Sequence, residues 1–460
     1  MVKSYRGIIP SSSSAIDEPF LVNSEYINDC YPNKVNLGIG VYRTDEGTPW
    51  PLSVVEEVEQ SLQARKDASR HEYLTIQGDL KFLELSRDLA FDFSSNPRVE
   101  TAKKMRITSV QTVSGTGANH IGARFLSDVL KPKHVWLPDP TWGNHFAIWE
   151  LVGVEVRTYP YYSEKLRGVN IAGIMRTLEL QAKRGDVILL HACAHNPTGS
   201  DPSKEQWMKL AELCDRLGLV PFFDLAYQGF ASGDVSKDAW AIKHFFNTLP
   251  NLEFCVAQSF SKNFGLYGQR TGALHVVVGQ DSVPFKGNVL STLSHLIRGE
   301  YSVAPRAGSD IVRTTLGDPC LRQKWKEDLS RISTRIMAMR RALYDELVRL
   351  QTPGCWIHII QQVCPPTQMV KGDQELILSQ IGMFSYTGLS EAQVLSIRKK
   401  YHVYMLLSGR ISISGCEFLV PITRHLPCYV SSNVSMYPIV TMSNVSYVAK
   451  AFDDVVRNVA

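Results

Sequence analysis

The chain of 460 residues predicts an α/β fold built on a mainly parallel sheet, and three observations carry that expectation. From Thr101 onward, short apolar runs alternate with helical stretches, as repeated strand–helix units do. Polar or glycine-rich turns follow these runs, and in such sheets ligands sit at the carboxyl ends of strands. The length exceeds what one small core accommodates, so two domains are the expected minimum.

In chain order, Val35 to Arg43 reads as a strand punctuated by Gly38 and Gly40, which let a ligand or another backbone come close. Pro49-Trp50-Pro51 breaks the chain, and a helix follows from about Val54 to Arg65. Arg70 to Leu74 is a mixed polar and aromatic loop holding Tyr73. Val110 to Val113 is a strand, and Ser114-Gly115-Thr116-Gly117-Ala118 is a turn that opens a helix. Small residues at a helix start present backbone N–H groups to an anion, and Ser and Thr add hydroxyl donors. His134 to Leu137 is a strand leading into Asp139-Pro140-Thr141-Trp142-Gly143-Asn144-His145. Val154 to Tyr159, Val187 to Ala192, Val220 to Phe223 and Phe254 to Ala257 continue the strand series, with a helix at Lys204 to Leu217. Ala273 to Val278 is a further strand. Beyond Pro305 the texture changes, and Leu321 to Gln351 reads as one long helix or two, ending at Pro353-Gly354. Residues 1–49 are expected to form an N-terminal arm and part of a smaller α/β domain, 50–330 the large domain and 331–460 the remainder of the small one.

Composition narrows the function classes. The chain is 44% hydrophobic and 20% charged, with a net charge of +4 from 49 Lys+Arg against 45 Asp+Glu, which does not suggest nucleic-acid binding. Its nine cysteines show no metal-ligand spacing and read as reduced residues, so no metal is expected. No stretch has the length of a membrane span. The N-terminal segment has a serine run, Ser11 to Ser14, without the apolar core of a secretory signal, so the cytoplasm is expected ahead of the mitochondrion.

The chemistry centres on Ser259-Phe260-Ser261-Lys262-Asn263-Phe264-Gly265-Leu266-Tyr267-Gly268-Gln269-Arg270, a polar turn between two apolar strands. A lysine on such a turn loses water around its ammonium group, which lowers its pKa, and a neutral amine attacks carbonyl carbon. Asp224 ends another apolar strand, and a buried aspartate is costly unless it pairs with a cation. His145 or Arg270 could be that cation, or the protonated ring nitrogen of pyridoxal 5′-phosphate (PLP), whose aldehyde a lysine captures. Tyr227, three residues on, could reach the phenolic oxygen of such a ring.

These residues resemble the class I aspartate aminotransferases, PLP enzymes of fold type I, over about Asn36 to Gly415. The motifs that carry the resemblance are His191-Ala192-Cys193-Ala194-His195-Asn196-Pro197-Thr198-Gly199 and Ser259 to Arg270. The resemblance implies a large domain with a mainly parallel seven-stranded sheet between helices, plus a smaller α/β domain. It implies that Lys262 captures the cofactor aldehyde and then moves the proton between the substrate α-carbon and the cofactor. Asp224, backed by His145, would bind the ring nitrogen, Asn196 and Tyr227 the phenolic oxygen, and Trp142 the ring face. Ser114, Gly115, Thr116, Ser259 and Arg270 would hold the phosphate, joined by Tyr73 from a second subunit of a homodimer. Arg410 would fork the substrate α-carboxylate and Arg298 the distal carboxylate across the dimer, with Gly40 also at the substrate. Planar guanidinium groups suit both tasks. Two such arginines select dicarboxylates such as aspartate, glutamate, oxaloacetate and 2-oxoglutarate.

The resemblance further implies cis peptides before Pro140 and Pro197. Glu300 and Val303 depart from the family pattern after Arg298. Two segments, 363–380 and 416–442, are also not asked for by the family. Surface loops are one account. Translated introns are the other, since Val363-Cys364 can be encoded by GTATGT and Gln380 by CAG. The sequence therefore leads to aspartate:2-oxoglutarate transamination. An aromatic amino acid aminotransferase and a non-catalytic dimeric homologue stand as the alternatives.

Overall fold

A computed structural model describes residues 18–42, 50–65, 68–93, 103–360, 381–413 and 442–459. The chain divides into two compact units, a larger one of residues 49–341 and 357–384 and a smaller one of residues 1–48, 342–356 and 385–460.

The larger unit is built on seven strands: β1 (Ile107–Val113), β2 (His134–Asp139), β3 (Glu155–Pro160), β4 (Val187–His191), β5 (Val220–Leu225), β6 (Phe254–Ser259) and β7 (Thr271–Val277). Their spatial order is β1-β7-β6-β5-β4-β2-β3. β7 runs antiparallel to both neighbours, and the remaining pairings are parallel. The expected mainly parallel seven-stranded sheet is therefore present, and each of the seven strands read between Val110 and Val278 is one of its members. β4, β5 and β6 are buried along nearly their whole lengths, because helices cover the sheet and exclude water from it.

Helix α1 (Ser114–Val129) packs on β1, β6 and β7 and inserts Ala118, Ile121 and Phe125 into the core with Val110, Phe222 and Leu274. Gly122 makes that approach possible, since a Cβ there would lie 2.6 Å from the Phe222 ring. Helix α2 (Lys204–Leu217) shows local signals agreeing with tertiary packing. Ser203 and Gln206 form a reciprocal capping box, Gly218 closes the helix in the left-handed region at φ 64°, and Trp207, Leu210, Ala211 and Cys214 are buried. Its exit leads directly into β5 and hence to Asp224. Helix α3 (Lys286–Glu300) follows β7, and the 31-residue helix α4 (Pro319–Arg349) is one continuous helix, the first of the two forms its sequence allows. The peptides Asp139-Pro140 and Asn196-Pro197 are both cis.

In the smaller unit, Val35–Asn36 pairs in parallel with Val403–Tyr404. The strand expected over Val35 to Arg43 stops after Asn36. The backbone then bends: the Asn36 side-chain oxygen accepts from the Gly38 amide at 2.9 Å, diverting the chain from a sheet ladder. Arg43 lies outside the described residues. Helices Glu18–Asn28, Glu391–Tyr401 and Met442–Asn458 complete the unit. Among the described residues no helix is long and apolar enough to cross a membrane.

The segment 363–380 and, apart from Met442, the segment 416–442 lie outside the described residues. The ends flanking the first are nevertheless fixed. The buried Arg340 guanidinium donates to the carbonyls of Ile359 at 3.1 Å and Gly382 at 3.0 Å, and the Ile381 amide donates to the Gly199 carbonyl at 2.9 Å. One planar group thus holds the described residues on both sides of the segment, and removing chain between two such fixed points costs little entropy. Deleting residues 363–380 should leave folding and cofactor binding intact, with a thermal midpoint within a few degrees of the full chain. An insoluble deletion variant would show that the segment is integral to the fold.

Candidate active site

The strand directions decide where the functional side chains meet. The carboxyl ends of β1, β2, β4, β5 and β6 lie on one edge of the sheet, and β7, running the other way, begins there. Val113 therefore delivers Ser114, Asp139 delivers Trp142 and His145, and His191 delivers Asn196. Leu225 delivers Tyr227, Ser259 delivers Lys262, and Arg270 enters β7 beside them.

One end of the site is a set of anion donors. Ser114 Oγ lies 2.8 Å from Ser261 Oγ and 3.5 Å from Ser259 Oγ, and Arg270 Nη1 donates to Ser261 Oγ at 3.3 Å. Ser114 and Arg270 both adopt positive φ, 61° and 54°, and the Ser114 amide donates to the Arg270 carbonyl at 3.0 Å. These two strained residues lock each other where their side chains converge. Gly115 is the one residue that fits against Ser259, whose Cβ would stand 2.8 Å from any Cβ at position 115. Thr116 occupies the same first turn of α1, where unpaired amides and the helix dipole favour a dianion.

The opposite end is acidic. Asp224 is buried, and its Oδ2 accepts from His145 Nε2 at 3.0 Å and Asn119 Nδ2 at 3.2 Å. No described residue bonds Oδ1, which leaves one carboxylate oxygen for a ring N–H. Burial pushes the Asp224 pKa up, but the His145 hydrogen bond and the nearby charge of Lys262 outweigh it, and the net shift is downward.

The histidines behind Asp224 take one consistent set of proton positions. The Asn196 amide donates to His191 Nδ1 at 3.2 Å, so the proton of a neutral His191 is on Nε2 and points to Thr141 Oγ1, 3.2 Å away. The Thr141 hydroxyl then donates to His145 Nδ1 at 2.9 Å, and His145 Nε2–H faces Asp224. Burial, with the adjacent His145, pushes the His191 pKa down to about 3, which keeps it neutral. Every donor in this relay points toward the carboxylate.

Lys262 stands between the two ends. Its Nζ lies 4.8 Å from the centroid of the Tyr227 ring. Desolvation lowers its pKa, the Asp224 carboxylate opposes that shift, and the Arg270 cation adds to it. Asn263 Nδ2 donates to the Gln228 carbonyl at 3.1 Å, tying the lysine turn to the tyrosine turn. Trp142 is half-buried beside the relay, its ring 5.1 Å from that of His145.

A dianion cradle, a desolvated amine and a buried carboxylate with one free oxygen match the phosphate, aldehyde and ring nitrogen of PLP. The donor set fits the cofactor. Four residues of this arrangement were not singled out for roles in the sequence. Ser261 was hidden beside Lys262, His191 and Thr141 lay inside quoted motifs, and Asn119 sits one helical turn beyond Gly115.

Two expected site residues are not drawn into this cluster. Arg298, at the end of α3, is exposed and donates to Ser302 Oγ. Tyr73 is 86% exposed, with its carbonyl accepting from Arg306. In the smaller unit, Arg410 is buried and donates to the Gly38 carbonyl, and Gly40 is half-buried in the bend after Asn36.

Residues 32–417 match the family model of aminotransferase class I and II. The chain is 53% identical over 400 residues to an L-tyrosine:2-oxoglutarate aminotransferase of Aspergillus ustus, covering 87% of this chain and 73% of that protein. It is 40% identical over 445 residues to the cytoplasmic aspartate aminotransferase of Schizosaccharomyces pombe, covering 96% of each. Among solved structures, the cytoplasmic aspartate aminotransferase of Saccharomyces cerevisiae superposes with a TM-score of 0.84 at 36% identity, covering 98% of both chains.

Proposed function

The chain belongs to the aminotransferase class I and II family, and on that footing we propose that it exchanges the amino group between L-aspartate and 2-oxoglutarate. Its cofactor is PLP, and its reaction is amino transfer between amino acids and 2-oxo acids.

In this reading PLP supplies an aldehyde that takes up the amino group and a ring that accepts the electrons of the α-carbon–hydrogen bond. Ser114, Gly115, Thr116, Ser259 and Arg270 hold the phosphate, so the reacting carbon stays within reach of Lys262. Asp224 fixes the positive charge on the ring nitrogen, and the His145 relay keeps that carboxylate ionised. Asn196 and Tyr227 hold the phenolic oxygen and Trp142 covers the ring. Lys262, whose desolvated amine gives up its proton more readily than a surface lysine, carries a proton between the substrate α-carbon and the cofactor. Arg410 takes the α-carboxylate, with Gly40 nearby. Arg298 and Tyr73 act from a second copy in a homodimer, for which the exposure of both speaks. The cytoplasm is the proposed compartment.

The sequence feature that supports aspartate is the presence of arginines at 410 and 298, the two positions where the resemblance implies carboxylate-binding groups. A second reading has L-tyrosine as the donor. The 53%-identical tyrosine aminotransferase and the departures at Glu300 and Val303 favour it. Arg298 serves 2-oxoglutarate in either case, so the donor must be measured. With 2-oxoglutarate fixed, kcat/KM for aspartate should exceed that for tyrosine at least tenfold, and the reverse ratio would establish the aromatic reading.

A further inference from the structure

We propose that Glu300, paired with His120, is a positioning residue that aims Arg298 away from its own subunit. This rests on Arg298 being the distal-carboxylate residue. His120 Nε2 lies 3.1 Å from Glu300 Oε2, an ion-pair contact that joins α1 to the last residue of α3. Both side chains are about a third exposed, so the contact is partly shielded from solvent. Glu300 follows Arg298 by two residues, and residues so spaced leave a helix on nearly opposite sides. Docking Glu300 onto α1 therefore turns Arg298 outward.

Two further contacts fix the same end. The Tyr301 hydroxyl donates to the Gln111 carbonyl on β1 at 3.2 Å. Ser302, in the left-handed region at φ 68°, ends the helix, and its amide donates to the Ile297 carbonyl at 2.9 Å. Its hydroxyl accepts from Arg298, which orients the guanidinium. The helix that receives Glu300 is the one whose first turn forms the phosphate cradle. One rigid element thus references both the cofactor of its own subunit and the arginine offered to a neighbour.

The test uses the holoenzyme and compares a dicarboxylate acceptor, 2-oxoglutarate, with a monocarboxylate one, phenylpyruvate. H120A and E300A should each raise KM for 2-oxoglutarate about three- to fivefold, the scale of a partly exposed ion pair. kcat and the phenylpyruvate parameters should stay within about twofold. H120Q, which keeps a donor at that position, should restore most of the KM. Equal shifts for both acceptors, or none for either, would overturn the proposal. R298L separates the two layers of inference. If it leaves KM for 2-oxoglutarate unchanged, the assignment of Arg298 fails. If R298L raises it while H120A and E300A do not, only the positioning role fails.

Discussion

Lys262→Ala is expected to lower turnover by roughly 10⁴-fold or more, the upper range for a positioned proton-transfer group compounded by loss of covalent capture. The fold should survive. Burial has already made the ammonium form of Lys262 less favourable, so removing it takes away a desolvated cation. The amine lies over the Tyr227 ring face at 4.8 Å, a contact worth about 2 kcal/mol when desolvated. The thermal midpoint of the apoprotein should therefore move by only a few degrees. The visible absorbance band that bound PLP owes to its link with the Lys262 amine should be missing before any amino acid is added. Borohydride reduction of the wild-type holoenzyme followed by peptide mapping should place the cofactor on the peptide containing Lys262. A label on another side chain, or a K262A variant within tenfold of wild type, would remove Lys262 from the reaction.

Why this lysine was legible in the sequence, and its supports less so, has a physical explanation. A buried parallel strand must be short and apolar, and whatever ends it must be polar. The runs ending near Val113, Leu137, Ala192, Phe223 and Ala257 therefore announce both the sheet and the edge where chemistry collects. Lys262 and Asp224 stand out because a charged residue at such a place is costly without a partner. Asn119 carries no comparable signal. An asparagine inside a helix usually faces water, and only the folded geometry brings its amide to within 3.2 Å of Asp224. Thr141 and His191 are ordinary residues until the register of β4 against β5 pairs His191 with Asp224 and the hydrogen bond from His191 reaches Thr141. The smaller unit was read least well. Its strands are two or three residues long, and over such lengths a period of two cannot be distinguished from chance. The expected strand from Val35 failed for that reason, since local hydrogen bonding by Asn36 prevailed over the apolar pattern.

Asp224→Asn should cost about 10²- to 10⁴-fold in kcat/KM, corresponding to about 3–5 kcal/mol for removing one charge of a buried pair. The substitution keeps the size of the side chain and its capacity to accept from His145 and Asn119, so geometry is nearly preserved while the negative charge is lost. His145→Asn does the reverse. It removes one donor, leaves the carboxylate charged and leaves Asn119 in place, and it should cost about tenfold, the low end for one hydrogen bond to a charged group. The ordering of the two variants is the discriminating result. If H145N were as damaging as D224N, the orientation of the carboxylate rather than its charge would be the operative feature. The pH dependence follows from the sign of the shift. The folded pKa of Asp224 is lowered, so its contribution to stability is present above the ordinary carboxylate pKa of about 3.9 and is lost as pH falls through the depressed value. Asp224 thus remains ionised throughout the neutral range. Any acid limb of the wild-type profile above about pH 5 must belong to another group, and H145N should leave the position of that limb unchanged.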